Sequence, residues 1–289
     1  MKKLILFISL VIITTSACQD VIELDTPTYK TTLVVEGRVT DTLGTSVRLS
    51  TTANYFAQGE TPIINSAIVT LYENDNPVSL LTQSETEPGM YYSSFNGTIG
   101  NTYYLQVEVN ADNNSGIQNT IWHTNKQELH RVFEFDSLKI KYLDRTTNPP
   151  SFNAGQFVLG YFTEPAGVGD FYRLHYWKND SFVTQTIDIL TDEFYDGFTF
   201  GKDPVPPITV YGAIDEVMDS ITVEVSSISE DYYNYLSLIS EQIFQVGGPF
   251  ASPPAFVEGN VYNANNPEEV GFGYFEASSI SYSHIIFRP

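Results

Sequence analysis

The sequence predicts a mainly β protein: two antiparallel β-rich domains in series, with one helix in the C-terminal half. Three observations predict it. Apolar residues recur at every second position in many short stretches, turn-forming clusters separate those stretches, and one segment switches to helical spacing.

The alternation begins at Leu33, Val35, Gly37 and Val39, which share one face against Val34, Glu36, Arg38 and Thr40. It recurs in Leu105, Val107 and Val109, in Leu138, Ile140 and Tyr142, and in Ile221, Val223 and Val225, each interleaved with polar residues such as Glu108, Lys139 and Glu224. Successive strand side chains point to opposite faces, so each pattern describes a strand with one buried and one wet face, as in antiparallel sheet. Asp41-Thr42-Leu43-Gly44, Glu73-Asn74-Asp75-Asn76-Pro77, Glu87-Pro88-Gly89 and Phe95-Asn96-Gly97 supply turns. Short strands at this spacing argue for a β-sandwich.

The helix is expected over residues 229–245, where Tyr232, Tyr235, Leu236, Ile239 and Ile243 fall at helical spacing. Ser229 can cap its start, Glu230 and Asp231 suit its first turn, and Gly247-Gly248-Pro249 ends it. The polar run Ala111–Gly116 marks a boundary between a sandwich over 32–112 and a second β-rich domain over 120–289. Thr146–Gly155 reads as a loop and Gly247–Pro267 as an extended surface excursion.

Before these elements lies MKKLILFISLVIITTSACQD, with two lysines, a short apolar run and small residues ahead of Cys18. This describes an export signal over 1–17, with cleavage exposing Cys18 and leaving 18–31 as a tether. The apolar run is too short to span a bilayer comfortably. Cys18 is the single cysteine of the chain. At this position it is read as the site of a diacylglycerol thioether, with an N-acyl chain on the new terminus. Two or more chains anchor durably, because each buried methylene adds about 0.8 kcal/mol.

The 289 residues are 42% hydrophobic and 14% aromatic, the composition of a folded protein. The formal charge is −21, and removal of Met1–Ala17 takes away Lys2 and Lys3 but no acid, leaving −23. Nucleic acid is strongly disfavoured as a partner, since binding it needs a basic surface. With no second thiol, disulfides are excluded as well.

Val35-Glu36-Gly37-Arg38-Val39-Thr40-Asp41, Asn65-Ser66-Ala67-Ile68-Val69-Thr70-Leu71, Pro88-Gly89-Met90-Tyr91 and Gly100-Asn101-Thr102-Tyr103-Tyr104-Leu105 follow one another in the N-terminal half. This succession resembles the Ig/transthyretin-like, carboxypeptidase-regulatory-like β-sandwich. Over its mature length the chain also resembles a Bacteroidota outer-membrane lipoprotein family, catalogued as a domain of unknown function, number four-two-four-nine. The carrying residues are Cys18 with Asp20, Glu23 and Asp25, then Leu33–Gly37, Ser229–Tyr235, Gly247–Pro254, Gly259-Asn260-Val261 and Gly271–Phe275. The resemblance implies anchoring at the outer membrane beside a TonB-dependent transporter, and no established activity. The acids after Cys18 imply exposure to the cell exterior.

Candidate chemistry is sparse. No Gly-x-Ser-x-Gly elbow is present, and His123, His130, His175 and His284 lack zinc-site spacing. The chain is therefore read as a non-enzyme. Asp192, Glu193 and Asp196 are weak candidates for Ca²⁺ or for a carboxylate pair. No other cofactor is expected. Tyr172, Trp177 and Tyr233 belong to the aromatic set, from which Tyr232, Tyr235, Phe250 and Phe256 are taken as ligand-binding candidates. Exposed rings stack on glycans or peptides, and Gly247–Pro254 has the rigidity of a recognition loop. The expectation is a lipid-anchored binding or accessory protein serving nutrient uptake. The alternatives are a carboxylate-dependent surface hydrolase and a structural or adhesion module.

Overall fold

The alternation becomes strands wherever one face can be buried. A computed structural model of the chain describes residues 31–53, 61–110, 119–144, 154–183, 187–212, 214, 218–244 and 256–288. The signal and tether with Cys18, the 111–116 boundary, most of the 146–155 loop, and Gly247–Pro254 with Phe250 lie outside the described residues.

In chain order the strands are β1 (Leu33–Thr40), β2 (Thr45–Thr51), β3 (Ala67–Glu73), β4 (Asn76–Leu80), β5 (Thr82–Gln83), β6 (Met90–Ser93), β7 (Thr102–Val109), β8 (Thr120–Thr124) and β9 (Gln127–Glu128). Then come β10 (Ser137–Leu143), β11 (Gly155–Thr163), β12 (Phe171–Lys178), β13 (Ser181–Phe182), β14 (Asp188–Thr191), β15 (Thr199–Phe200), β16 (Ile208–Tyr211) and β17 (Ser220–Ile228). Helix α1 (Glu230–Phe244) precedes β18 (Val261–Asn263), β19 (Asn266–Val270), β20 (Phe272–Ser278) and β21 (Ile280–Ile286). Among the described residues no helix is long and apolar enough to cross a membrane.

Two sandwiches result. In the first, sheet I (order β20-β1-β2-β6-β5) faces sheet II (order β19-β18-β8-β7-β3-β4, with β9 on β7). Its core joins Leu33, Val35, Val47, Leu105 and Trp122 to Val261, Phe275 and Ala277 from the far end of the chain. Each fully buried aliphatic or aromatic side chain here contributes about 1.5–3 kcal/mol. In the second, sheet III (β10-β11-β15, with β16 on β11) faces sheet IV (β13-β12-β17-β21, with β14 on β12). Its core is aromatic, with Phe133 stacked on Phe162 at 3.9 Å and edge-on to Tyr172 at 4.8 Å.

The expected turns form. Gly44 adopts a φ of +76° between β1 and β2, and Asn74 and Asp75, at +47° and +69°, close the β3–β4 hairpin. The segment 32–112 is not closed on itself, however. β8, β9 and β18–β20 complete its sheets, and Thr31–Pro289 form one compact unit. β20 runs parallel to β1, Val34 opposite Phe272 and Arg38 opposite Glu276, and so covers an edge that would otherwise be free.

The chain then passes from sheet I to sheet IV through Ser279. Ser279 N donates to Ser227 Oγ at 2.9 Å, Ser227 N donates back to Ser279 O at 3.0 Å, and Ile280 N donates to Asp41 Oδ1 at 3.0 Å. This polar seam ties the two sandwiches together. Helix α1 starts where the sequence places it: Tyr232 N donates to Ser229 Oγ at 3.2 Å. Tyr232 and Leu236 pack beside Ile228 and Tyr274, while Ile243 in the last turn is exposed.

Candidate ligand cleft

Strand alternation gives sheets I and IV each a second face. On sheet I, β1 turns Val34, Glu36 and Arg38 away from the core, and β20 turns out Phe272, Tyr274 and Glu276 in register beside them. On sheet IV, β12 buries Tyr172, Leu174 and Tyr176 and turns out Arg173, His175 and Trp177. These two outer faces and α1 enclose a cleft of about 630 Å³, lined also by Ser46, Ile187, Tyr235, Leu236 and Ile239. That volume lies within the range of small-molecule sites.

One end of the cleft is aromatic. Tyr232 stacks on Tyr274 at 4.4 Å, and Tyr235 lies 5.1 Å from Tyr274 and 6.0 Å from Tyr232. Arg173 Nη1 donates to the Tyr232 hydroxyl at 2.7 Å. Burial pushes the Tyr232 phenol up, the charge of Glu276 adding to it. Burial also pushes the Tyr274 phenol up to about 12. Both therefore stay protonated at any physiological pH and can donate hydrogen bonds.

Glu276 is 7% exposed, and Ser278 Oγ donates to its Oε2 at 3.1 Å. Beside it, Arg38 reaches across to Glu224 of β17 at 2.9 Å. His175 Nδ1 lies 3.1 Å from the same carboxylate, and Tyr282 donates to its other oxygen. Glu224 has no exposed side-chain surface, so the sequence pattern that places it on a wet face is corrected here. The outer face of β17 is covered by sheet I.

Of the expected ligand-binding residues, Tyr232 and Tyr235 line the cleft. Phe256 is exposed one ring outward, 5.1 Å from Phe272 and edge-on to it. Tyr172 is instead a core residue whose hydroxyl donates to Glu164 at 2.9 Å. Trp177 packs on Phe182, and Tyr233 on Phe171. Arg38, Arg173 and Glu276 escape the sequence reading, because a charged residue on an alternating strand looks the same whether its face meets solvent or another sheet.

The carboxylate candidates part company. Asp192 is buried and gathers with Glu164 and Asp170, each placing an oxygen within 4.8 Å of the others, while Glu193 is exposed and Asp196 Oδ1 accepts from Gly167 N at 2.6 Å. The trio has the spacing of a metal site, but donors already occupy it. Gly169 N donates to Asp192 at 2.9 Å, Gly197 N to Glu164 at 2.7 Å, and Arg131 Nη2 to Asp170 at 3.1 Å. Burial holds the Glu164 carboxyl above its ordinary value. The arrangement pins the loop that carries the exposed Phe194, Tyr195 and Phe198.

A comparison with curated proteins finds no match. The family model described as "Domain of unknown function (DUF4249)" matches residues 19–283, a span that takes in both sandwiches up to the middle of β21, the helix and every residue lining the cleft. The chain therefore belongs to the DUF4249 family.

Proposed function

We propose that this protein is a lipid-anchored binding or accessory protein of the outer membrane, facing the cell exterior. It takes a small ligand into the cleft beneath α1 and works beside a TonB-dependent transporter in nutrient uptake. The observation that carries the binding role is the cleft: about 630 Å³, walled by tyrosines at one end and edged by Arg173 and Glu276. Such a mixture of aromatic, aliphatic and charged walls suits recognition of a small ligand with both apolar and polar groups. Anchoring is supported by the Met1–Cys18 sequence. The rival reading, a carboxylate hydrolase at Asp192, has less support because hydrogen-bond donors already hold that carboxylate.

The test is a calorimetric screen of amino acids, short peptides and oligosaccharides against purified protein. Any ligand found should lose about tenfold or more in affinity with Tyr235→Ala. It should be unaffected by Leu238→Ala, which alters an exposed position outside the cleft lining. Equal effects of the two substitutions would remove the cleft from the proposal. Cross-linking in native outer membranes should recover a transporter; repeated failure to do so would remove the partnership.

A further inference from the structure

Among the described residues, two charged groups at the cleft are held in no ion pair. Arg173 spends one N–H on the Tyr232 hydroxyl, and among the described residues no carboxylate lies within ion-pair distance of its guanidinium. Glu276, though buried, receives a hydrogen bond from Ser278 alone among the described residues. Its cross-strand neighbour Arg38 feels its charge but makes its ion pair with Glu224. Arg173 and Glu276 both line the cleft without pairing with each other, from opposite walls, β12 and β20. A buried carboxylate outside an ion pair, as at Glu276, is costly, and a ligand that supplies a cation there and an anion to the half-buried Arg173 relieves the cost.

The chemistry of that ligand follows. A simple anion would satisfy Arg173 but meet Glu36 and Glu276 in a protein of charge −21. A neutral sugar would compensate neither charge. We infer that the cleft takes a small zwitterion, an amino acid or short peptide with both its ammonium and its carboxylate free. Arg173 receives the carboxylate through its remaining N–H groups, as guanidinium does with planar anions. Glu276 receives the ammonium through its free oxygen. An apolar side chain lies against Tyr235, Leu236 and Ile239. The inference rests on the cleft being the ligand site.

Calorimetry on the full chain tests it with L-phenylalanine, L-alanyl-L-phenylalanine, the N-acetylated and C-amidated forms of that dipeptide, and maltotriose. At least one uncapped zwitterion should bind, and whether the amino acid or the dipeptide binds more tightly sets the ligand's length. Capping either end of the dipeptide should weaken binding about tenfold or more, since each cap removes a charge-assisted bond. Arg173→Gln should erase the penalty of the amide, and Glu276→Gln that of the acetyl group. Capped and free dipeptides binding within about twofold of one another would overturn the inference even if either variant failed to fold. Maltotriose binding that Tyr235→Ala abolishes, with no zwitterion bound, would overturn it while leaving the cleft as a ligand site. No binding by any of these probes would remove both.

Discussion

Replacing Glu224 by Gln tests whether the charge network between the sandwiches holds them together. Glu224 is fully buried in β17, where Arg38 reaches it from β1 at 2.9 Å and His175 lies at 3.1 Å. Burial by itself would raise the carboxyl. The hydrogen bond from His175, the charge of Arg38 and the hydrogen bond from Tyr282 outweigh burial and hold it down at about 2. Set against the ordinary 4.5, that depression is worth about 3 kcal/mol of folding stability. The folded value is the lower one, so the contribution is complete above about pH 4.5 and is lost as pH falls toward about 2. Glu224→Gln removes the charge and leaves Arg38 without its anion. The expected cost at neutral pH is about 3 kcal/mol, a fall of about 6–12 °C in Tm for a unit of this size. Urea unfolding, followed by tryptophan fluorescence from neutral to acid pH, measures it. The gap between the two proteins should narrow through the acid window, because the wild type loses there what the variant never had. A gap that stays constant with pH, or is below about 0.5 kcal/mol at neutrality, would refute the reasoning.

Four further outcomes are expected. Gly273→Ala, at φ +80° with its new Cβ 2.1 Å from the Val35 carbonyl oxygen, should cost about 3 kcal/mol or more in urea unfolding. Gly100→Ala, at φ +86° with open space around it, should cost only about 1–2 kcal/mol. Arg131→Met leaves Glu164, Asp170 and Asp192 together without their cation. It should destabilise by about 1–2 kcal/mol at neutral pH and by less in acid, where Glu164, whose carboxyl burial already holds up, takes a proton and eases the repulsion, as thermal melts under both conditions would register. On the proposed acylation of Cys18, Cys18→Ala should abolish incorporation of an alkyne-tagged fatty acid and shift the protein from the membrane to the soluble fraction of its host, since anchoring would then rest on those acyl chains.

The sequence made the strands legible wherever one face stayed wet. Along β7, Tyr103, Leu105, Val107 and Val109 are buried and the residues between them are half-exposed, as alternation requires. It misled at β17, where Glu224 and Ser226 are buried as well as Val223 and Val225 because a second sheet covers the outer face. Helix α1 was legible from its cap and spacing, and with it Tyr232 and Tyr235 of the cleft. The partners that make those tyrosines a site, Arg173 and Glu276, come from strands far apart in sequence, and local periodicity carries no information on which distant faces meet. The parallel pairing of β1 with β20 escaped for the same reason.

That pairing has a consequence for the order in which the molecule is built. Sheet I cannot close until residues 272–278 are available to lie along β1, and its core lacks Phe275 and Ala277 until then. Contacts between segments so distant in sequence form slowly, because the loop entropy is paid first. Until those residues are in place the first sandwich is a set of strands with one open flank, so it cannot mature before them. A chain cut short before Phe272 would keep that flank permanently open, a template on which a strand from another molecule can add.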